Sequence, residues 1–168
     1  MERKVTKKQH NSKMCFVCGL KNVAGLQASF FELEDGSLAA LFTPQAQHQS
    51  YPGRLHGGIA ATILDETIGR AIMISNGGDS WGVTLELTVA YKKPVPLGVE
   101  LKVIGRITGE GSRLFSGSGE ILLPSGEIAV TAQGKYMKVL LEKITDFDAA
   151  KFDWAVVPDS SDPQSLTF

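Results

Sequence analysis

Cysteine is nearly missing from this chain: its 168 residues contain two, too few for a disulfide framework. A charge of one sign is missing as well. Seventeen basic and eighteen acidic residues give a net charge of −1, so no broad electrostatic pull on nucleic acid or acidic lipid is expected. No apolar run reaches the length of about 20 residues that a membrane-crossing helix needs. The start, Met1 to Lys8, is basic, and no apolar secretory segment follows it. These absences lead us to expect a cytoplasmic protein without nucleic-acid or membrane partners. What is present fits a soluble globular protein: 43% hydrophobic and 21% charged residues, in a length that usually makes one domain with tails.

The two cysteines form a Cys15-Phe-Val-Cys18-Gly19 motif. Zinc takes about four ligands, so Cys-x-x-Cys is half a site, to which His10, His48 or a second subunit could add. A thioredoxin-like reading needs a strand before the motif and a helix after it. Here polar residues precede it and a loop, Asn22 to Gly25, follows. Two reduced thiols in a turn are the plainest reading, with no metal or cofactor called for.

Residues 1 to 14 read as a basic, flexible segment. Leu26 to Leu33 and Ser37 to Thr43 read as two strands joined by an Asp35-Gly36 turn. Gly57 to Ser75 is the one long helical stretch, apolar around much of its circumference and therefore buried; Asn76-Gly77-Gly78-Asp79 stops it. Trp81, Val83, Leu85, Leu87, Val89 and Tyr91 then alternate with period two. Val99 to Thr108, Arg113 to Leu123 and Glu127 to Leu140 complete a meander with short turns. Gly117, Gly119 and Gly134 interrupt these strands, and the buried helix is the obvious backbone to approach them. The tail from Thr145 holds Phe147, Phe152 and Trp154, aromatics that could dock on the body, before a Ser-, Asp- and Pro-rich end. Six antiparallel strands and one apolar helix share a core most simply when a curved sheet wraps the helix. Pairing the exposed sheet edge with a second copy makes a dimer the physical default.

The chemistry concentrates in Tyr51-Pro-Gly-Arg-Leu-His56-Gly57-Gly58 and the helix behind it. A helix N-terminus offers free N–H groups to a carbonyl oxygen, and a carboxylate two turns on can activate water or attack directly. Glu66 and Arg70, four apart with the glutamate first, suit a surface ion pair, which assigns Glu66 to a solvated face. Asp65 lies on another stripe with Gly58, Ala61, Thr62 and Gly69, small neighbours that leave room for another molecule. His56 reads as a base, a helix cap or a packed histidine. The Gly57 amide is the candidate donor to a developing oxyanion.

At these residues the chain resembles the hotdog-fold acyl-CoA thioesterases, in particular the branch with the phenylacetate-pathway thioesterases. The resemblance runs from about Cys15 to Val139. It rests on Cys15 to Gly19 with Asn22 and Gly25-Leu26, on Leu55 to Glu66, on Gly82 to Leu87, on Tyr91-Lys92-Lys93-Pro94 with Gly98, and on Gly126 to Ala129. It implies an α+β hotdog domain over 15–143, a six-stranded antiparallel sheet around one central helix, with 144–168 a tail that is partly docked or disordered. It implies Asp65 as base or nucleophile, Gly57 as the amide that holds the thioester oxygen, and His56 as the residue that shapes the turn. Sites of the family lie at a dimer interface, so a homodimer, or a tetramer built from it, is implied. Where some relatives carry an Asn six residues before the histidine, this chain has Ser50 beside Gln49. Thr84 lies where relatives carry a Ser or Thr near the attacking water, although strict alternation puts it on the face opposite Trp81 and Leu85. Gly58 belongs to the substrate-binding turn. Lys92, Lys93, Arg106 and Arg113, at or near strand ends, are candidates for the phosphates of CoA, each also readable as a solvated edge charge.

The expected reaction is hydrolysis of an acyl-CoA thioester. A non-catalytic acyl-CoA-binding or regulatory module is the alternative. An enoyl hydratase is a third reading, whose own Asp and His pattern is not found.

Overall fold

An Asp-Gly turn and a meander of long strands dictate most of the architecture. The computed structural model describes residues 1–78, 80–140, 143, 148 and 150–168. Its strands are β1 (Glu2–Lys8), β2 (Ser29–Leu33), β3 (Leu38–Phe42), β4 (Ser80–Tyr91), β5 (Leu101–Glu110), β6 (Leu114–Leu122), β7 (Ile128–Leu140) and β8 (Ser165–Thr167). They form one eight-stranded sheet in the order β4-β7-β6-β5-β3-β2-β1-β8, and every pairing is antiparallel. Gly36, at φ 77°, makes the expected β2–β3 turn, a conformation that costs a glycine little.

Helix α1 (Gly57–Arg70) lies on the sheet, and a short α2 (Ile72–Asn76) follows it. The expected single helix is interrupted at Ala71, whose N–H donates to Ile68 O, a tightened turn of i to i−3 type. Gly77, at φ 67°, ends α2; Asp79, expected to share that role, lies outside the described residues. Ile63, Leu64 and Ile68 are wholly buried, and each contributes about 2 kcal/mol by leaving water. The strand glycines let the helix come this close. A Cβ at Gly105 would lie 2.7 Å from Thr67 O, and one at Gly117 would lie 2.4 Å from Ile68 Cγ2. Gly119 likewise faces Ile68 and Leu64, but Gly134 does not meet the helix: it makes room for the ring of Tyr136.

The sheet has two strands more than the expected six. Residues 2–8, read from sequence as loose, form β1, which pairs with β2 on one side and β8 on the other. The cause is one apolar residue among the lysines: Val5 packs with Leu33, Ala39 and Leu166. Lys8 then ties the two ends together through Asp162 at 2.6 Å and Val157 O at 2.7 Å. The end of the tail is therefore a strand. Trp154 docks as expected, stacked on His10 at 5.2 Å and tilted against Trp81 at 4.7 Å; Thr145 and Phe147 lie outside the described residues. Among the described residues no helix is long and apolar enough to cross a membrane.

Candidate active site

The site starts from a cap. His56 has extended backbone angles, φ −65° and ψ 132°, and its Nδ1 accepts from Gly58 N at 3.0 Å, which satisfies one orphan donor of the first turn. A neutral ring that accepts at Nδ1 carries its proton on Nε2, so while it caps α1 this histidine presents a donor to solvent rather than a base. The Gly57 N–H has no acceptor among the described residues. Tyr91, at the end of β4, donates its hydroxyl to Gly57 O at 2.7 Å and fixes that first turn to the sheet.

Asp65 projects from the middle of α1 towards β4. Thr84 Oγ1 donates to its carboxylate, 2.9 Å from Oδ1 and 3.1 Å from Oδ2. Tyr136 Oη, from β7, lies 3.1 Å from Oδ1. No cation pairs with Asp65 among the described residues. Burial pushes its pKa up, the two hydroxyl donors pull it back in part, and the charge of Glu66 pushes it up further. Burial and the Asp65 charge likewise raise the Tyr136 phenol, which stays a donor. A cavity of about 90 Å³ opens beside the carboxylate between Gly69, Met73, Trp81 and Gly82, with Glu66 and Arg70 also on its wall; it is large enough for water and too small for an acyl chain. Larger grooves of 430 to 570 Å³ elsewhere hold neither Asp65 nor Gly57, so volume alone does not mark the chemistry.

Strict alternation puts Thr84 on the wrong face because β4 is not regular. Its register against β7 slips between Thr84, opposite Tyr136, and Glu86, opposite Lys135. This bulge flips the sides. Thr84 faces the helix before it; Leu87 and Val89 pack on the core after it, and Tyr91 reaches Gly57. Leu85, in the bulge, is 57% exposed.

Glu66 keeps part of its expected solvated face, but the pair is not a surface one. Its partner Arg70 is buried, 6% exposed, and holds Glu66 Oε1 at 2.7 Å through Nε. Arg70 is interior, while the Glu66 side chain stays 31% exposed, so the pair straddles the boundary.

The remaining candidates do not gather at one point within a chain. Gln49 accepts from Gly53 N at 3.0 Å and Ser50 N donates to Arg54 O at 2.8 Å, so both shape the loop ahead of α1. Lys92 and Lys93 are exposed, both donate their amides to Ala129 O, and the Lys93 ammonium pairs with Glu127. They sit at the same end of β4 as Tyr91, and hence near Gly57. Arg113 is bound through its carbonyl to Lys138 N, nine residues along β7 from Ala129, or about 30 Å away at 3.3 Å per residue. Arg106 pairs with Glu120 at 3.3 Å. Gly57 and Asp65 are themselves about 12 Å apart along the helix axis, at 1.5 Å per residue. Sequence reasoning missed Tyr136 and Tyr91. The period-two row Ala132, Gly134, Tyr136 marks the inner face of β7, and a lone phenol among small residues there is the available signal.

Residues 52–129 match the family described as the Thioesterase superfamily. Among curated relatives, acyl-coenzyme A thioesterase 13 of Mus musculus is 30% identical over 97 residues, 57% of this chain and 67% of that one. Acyl-coenzyme A thioesterase THEM4 of Xenopus laevis is 33% identical over 88 residues, 52% of this chain, and the match spans only 38% of that protein's length. A crystallised thioesterase superfamily protein is 29% identical, with TM-score 0.60 over 66% of this chain and 53% of that one. One central helix on a curved antiparallel sheet, a capped His-Gly-Gly turn and these likenesses lead to one assignment: the chain belongs to the thioesterase superfamily and has its hotdog fold.

Proposed function

We propose that the chain hydrolyses acyl-CoA thioesters to the free acid and CoA. The observation that carries this reading is Asp65: a half-buried carboxylate with two neutral hydroxyl donors, no ion-pair partner among the described residues, and a water-sized cavity at its side. A carboxylate kept at a raised pKa by burial is a better base than an exposed one.

Oδ1 takes bonds from both Thr84 and Tyr136, and Oδ2 from Thr84 alone. Oδ2 is therefore the atom with a lone pair to spend. In the base route it accepts a proton from water as the water oxygen bonds to the thioester carbon. The carbonyl oxygen becomes an oxyanion and receives the Gly57 N–H. Collapse breaks the C–S bond, and the CoA thiolate takes the proton from Asp65. In the nucleophilic route Oδ2 bonds to the carbon first, the C–S bond breaks and the CoA thiolate leaves; water then opens the resulting anhydride, releasing the acid and the Asp65 carboxylate, and the proton set free goes to the thiolate. An oxyanion donor contributes about 3 kcal/mol to such a transition state.

Asp65 and Gly57 cannot serve one carbonyl from a single chain, because the helix holds them about 12 Å apart. The site is complete when Asp65 of one copy faces Gly57 of another. β4 supplies the means: it is the sheet margin, twelve residues long, with a bare backbone edge, and such edges pair. A homodimer with two shared sites follows, and two dimers could join as a tetramer. Lys92 and Lys93 would then meet the CoA phosphates near Gly57, with Gln49, Ser50, His56 and Gly58 shaping the mouth; Arg113 would contribute only from another copy.

A complementation test addresses both parts. Gly57→Pro removes the N–H at a first helical position, where proline is tolerated and where His56 already has the extended backbone proline requires before it, while its Cβ meets the Tyr91 ring at an ordinary contact distance of 3.4 Å. Gly57→Pro and Asp65→Asn should each be inactive in thiol release from a panel of short, medium and aryl acyl-CoAs. Unfolded and refolded together in equal amounts, they should recover roughly a quarter of wild-type activity, because half the dimers are mixed and each has one intact site. No recovery sinks the shared site. Full activity in Asp65→Asn sinks the reaction, and tight binding of intact ester without turnover would favour the binding-module reading.

A further inference from the structure

The thiols lie beside Glu66 and Arg70, round α1 from Asp65, and the thioesterase reading makes no use of them. Cys15 Sγ accepts from the amides of Val17 and Cys18 at 3.3 and 3.5 Å. The turn closes through Gly19 N to Cys15 O at 2.8 Å, and only glycine fits there, since a Cβ would lie 2.4 Å from that same oxygen. Cys18 is buried, and its sulfur receives Arg70 Nη2 at 3.0 Å and lies 3.3 Å from Ser12 Oγ. Arg70 has its Cζ over the rings of Phe30 and Trp154, 4.4 and 5.2 Å from their centroids. Its other nitrogens are committed to Glu66 and to His10 O at 2.8 Å.

The ligand atoms of Cys15, Cys18 and Glu66 lie within 4.8 Å of one another, which raises a metal. The donor set argues against one. It is one short of a closed zinc site, and a guanidinium already rests on two of the three donors, where a dication would be repelled. Of the two histidines that could complete it, His48 has both ring nitrogens engaged, by Gln45 N and Ala24 O at 2.9 Å each, and His10 is not among the grouped ligand atoms.

What a buried cation on Cys18, with the Cys15 sulfur within 4.8 Å of the Cys18 sulfur, suits is thiol oxidation. We propose that Cys15 and Cys18 form a dithiol that hydroperoxides oxidise to an intramolecular disulfide, with Arg70 as its positioning cation. Cys15 is the half-buried, approachable sulfur, and Cys18 is the buried sulfur that resolves. The Cys15 sulfur attacks the near oxygen of the peroxide; an S–O bond forms, the O–O bond breaks, and hydroxide leaves, so sulfur is oxidised by two electrons and the peroxide reduced. The Cys18 sulfur then attacks that of Cys15; an S–S bond forms, the S–O bond breaks, and the departing hydroxide carries off the Cys18 proton as water. The pair shares one proton in a way that favours this order. The hydrogen bond from the Cys18 thiol, with the two amides, pulls Cys15 down to about 6 against its burial. The same bond and burial push Cys18 up, against the pull of the Arg70 charge. Thiolates, not thiols, react with peroxide.

The test reads mass and so does not depend on whether acyl-CoA is hydrolysed. The reduced full chain is treated with hydrogen peroxide, quenched, denatured and alkylated. Both alkylation sites should disappear, at least about tenfold faster than glutathione thiol is lost under the same conditions. Cys18→Ser should accumulate a sulfenic acid on Cys15 that dimedone traps, and Cys15→Ser should keep its Cys18 alkylatable. Arg70→Met should slow closure, and Arg70→Lys should restore part of the rate. Survival of both thiols, equal oxidation of Cys15→Ser, or about one zinc per purified chain that Cys15→Ser abolishes, would overturn the proposal.

Discussion

Asp65 and Glu66 are consecutive carboxylates, turned roughly 100° apart around one helix, and their surroundings differ in kind. Glu66 has a buried guanidinium at 2.7 Å; Asp65 has two neutral hydroxyls and a small cavity. A charged partner fixes a carboxylate in its ionised form and removes it from chemistry. Neutral donors hold it in place and leave it free to exchange a proton. The difference comes from the partners: a long arginine returns along the helix and commits its Nε to Glu66, and although Arg70 also lines the space that Gly69 and Gly82 leave beside Asp65, it makes no ion pair with Asp65. Side-chain type alone does not tell the two apart.

If the difference is real, replacing each carboxylate by its amide should give opposite results. Asp65→Asn should lower kcat/KM about 10³-fold while the fold is kept or gains stability. The sign follows from the raised pKa: the folded state holds the proton more tightly than the unfolded one, so ionisation of Asp65 costs stability as pH rises through the folded value, and the amide removes that cost. Glu66→Gln should instead cost about 3 kcal/mol in urea unfolding, because it strands Arg70. A stable Glu66→Gln protein would erase the distinction.

Thr84→Val and Tyr136→Phe should each raise the acid limb of the pH–kcat/KM profile by about one unit, since each donor favours the ionised carboxylate. In wild type that limb should already lie above the ordinary aspartate value of about 3.9, with activity falling as pH drops through it. The smallest effect is expected at the exposed Lys92 and Lys93: the double alanine variant should raise KM for acyl-CoA about threefold and leave thermal unfolding unchanged, as exposed pairs such as Lys93–Glu127 stabilise little.

The hairpin at Asp35-Gly36, the helix from Gly57 and the meander were legible from periodicity and turn residues, since these are local signals. Three features were not. Val5 gives no recognisable pattern among lysines until Leu166 arrives from the far end of the chain to cover it. The slip near Leu85 breaks alternation without any glycine or proline to announce it. Arg70 fits the spacing of a surface pair, and only Phe30, Trp154 and Cys18, brought from distant segments, make it interior. Local rules placed the elements; contacts between remote segments decided the faces.

The β1–β8 pairing has a practical corollary. It brings both termini to one margin of the sheet, Phe168 N donating to Met1 O at 3.0 Å, while β4 occupies the opposite margin. A fluorophore or affinity tag fused at either end would therefore hang on the side remote from β4, where it can report on assembly without obstructing it.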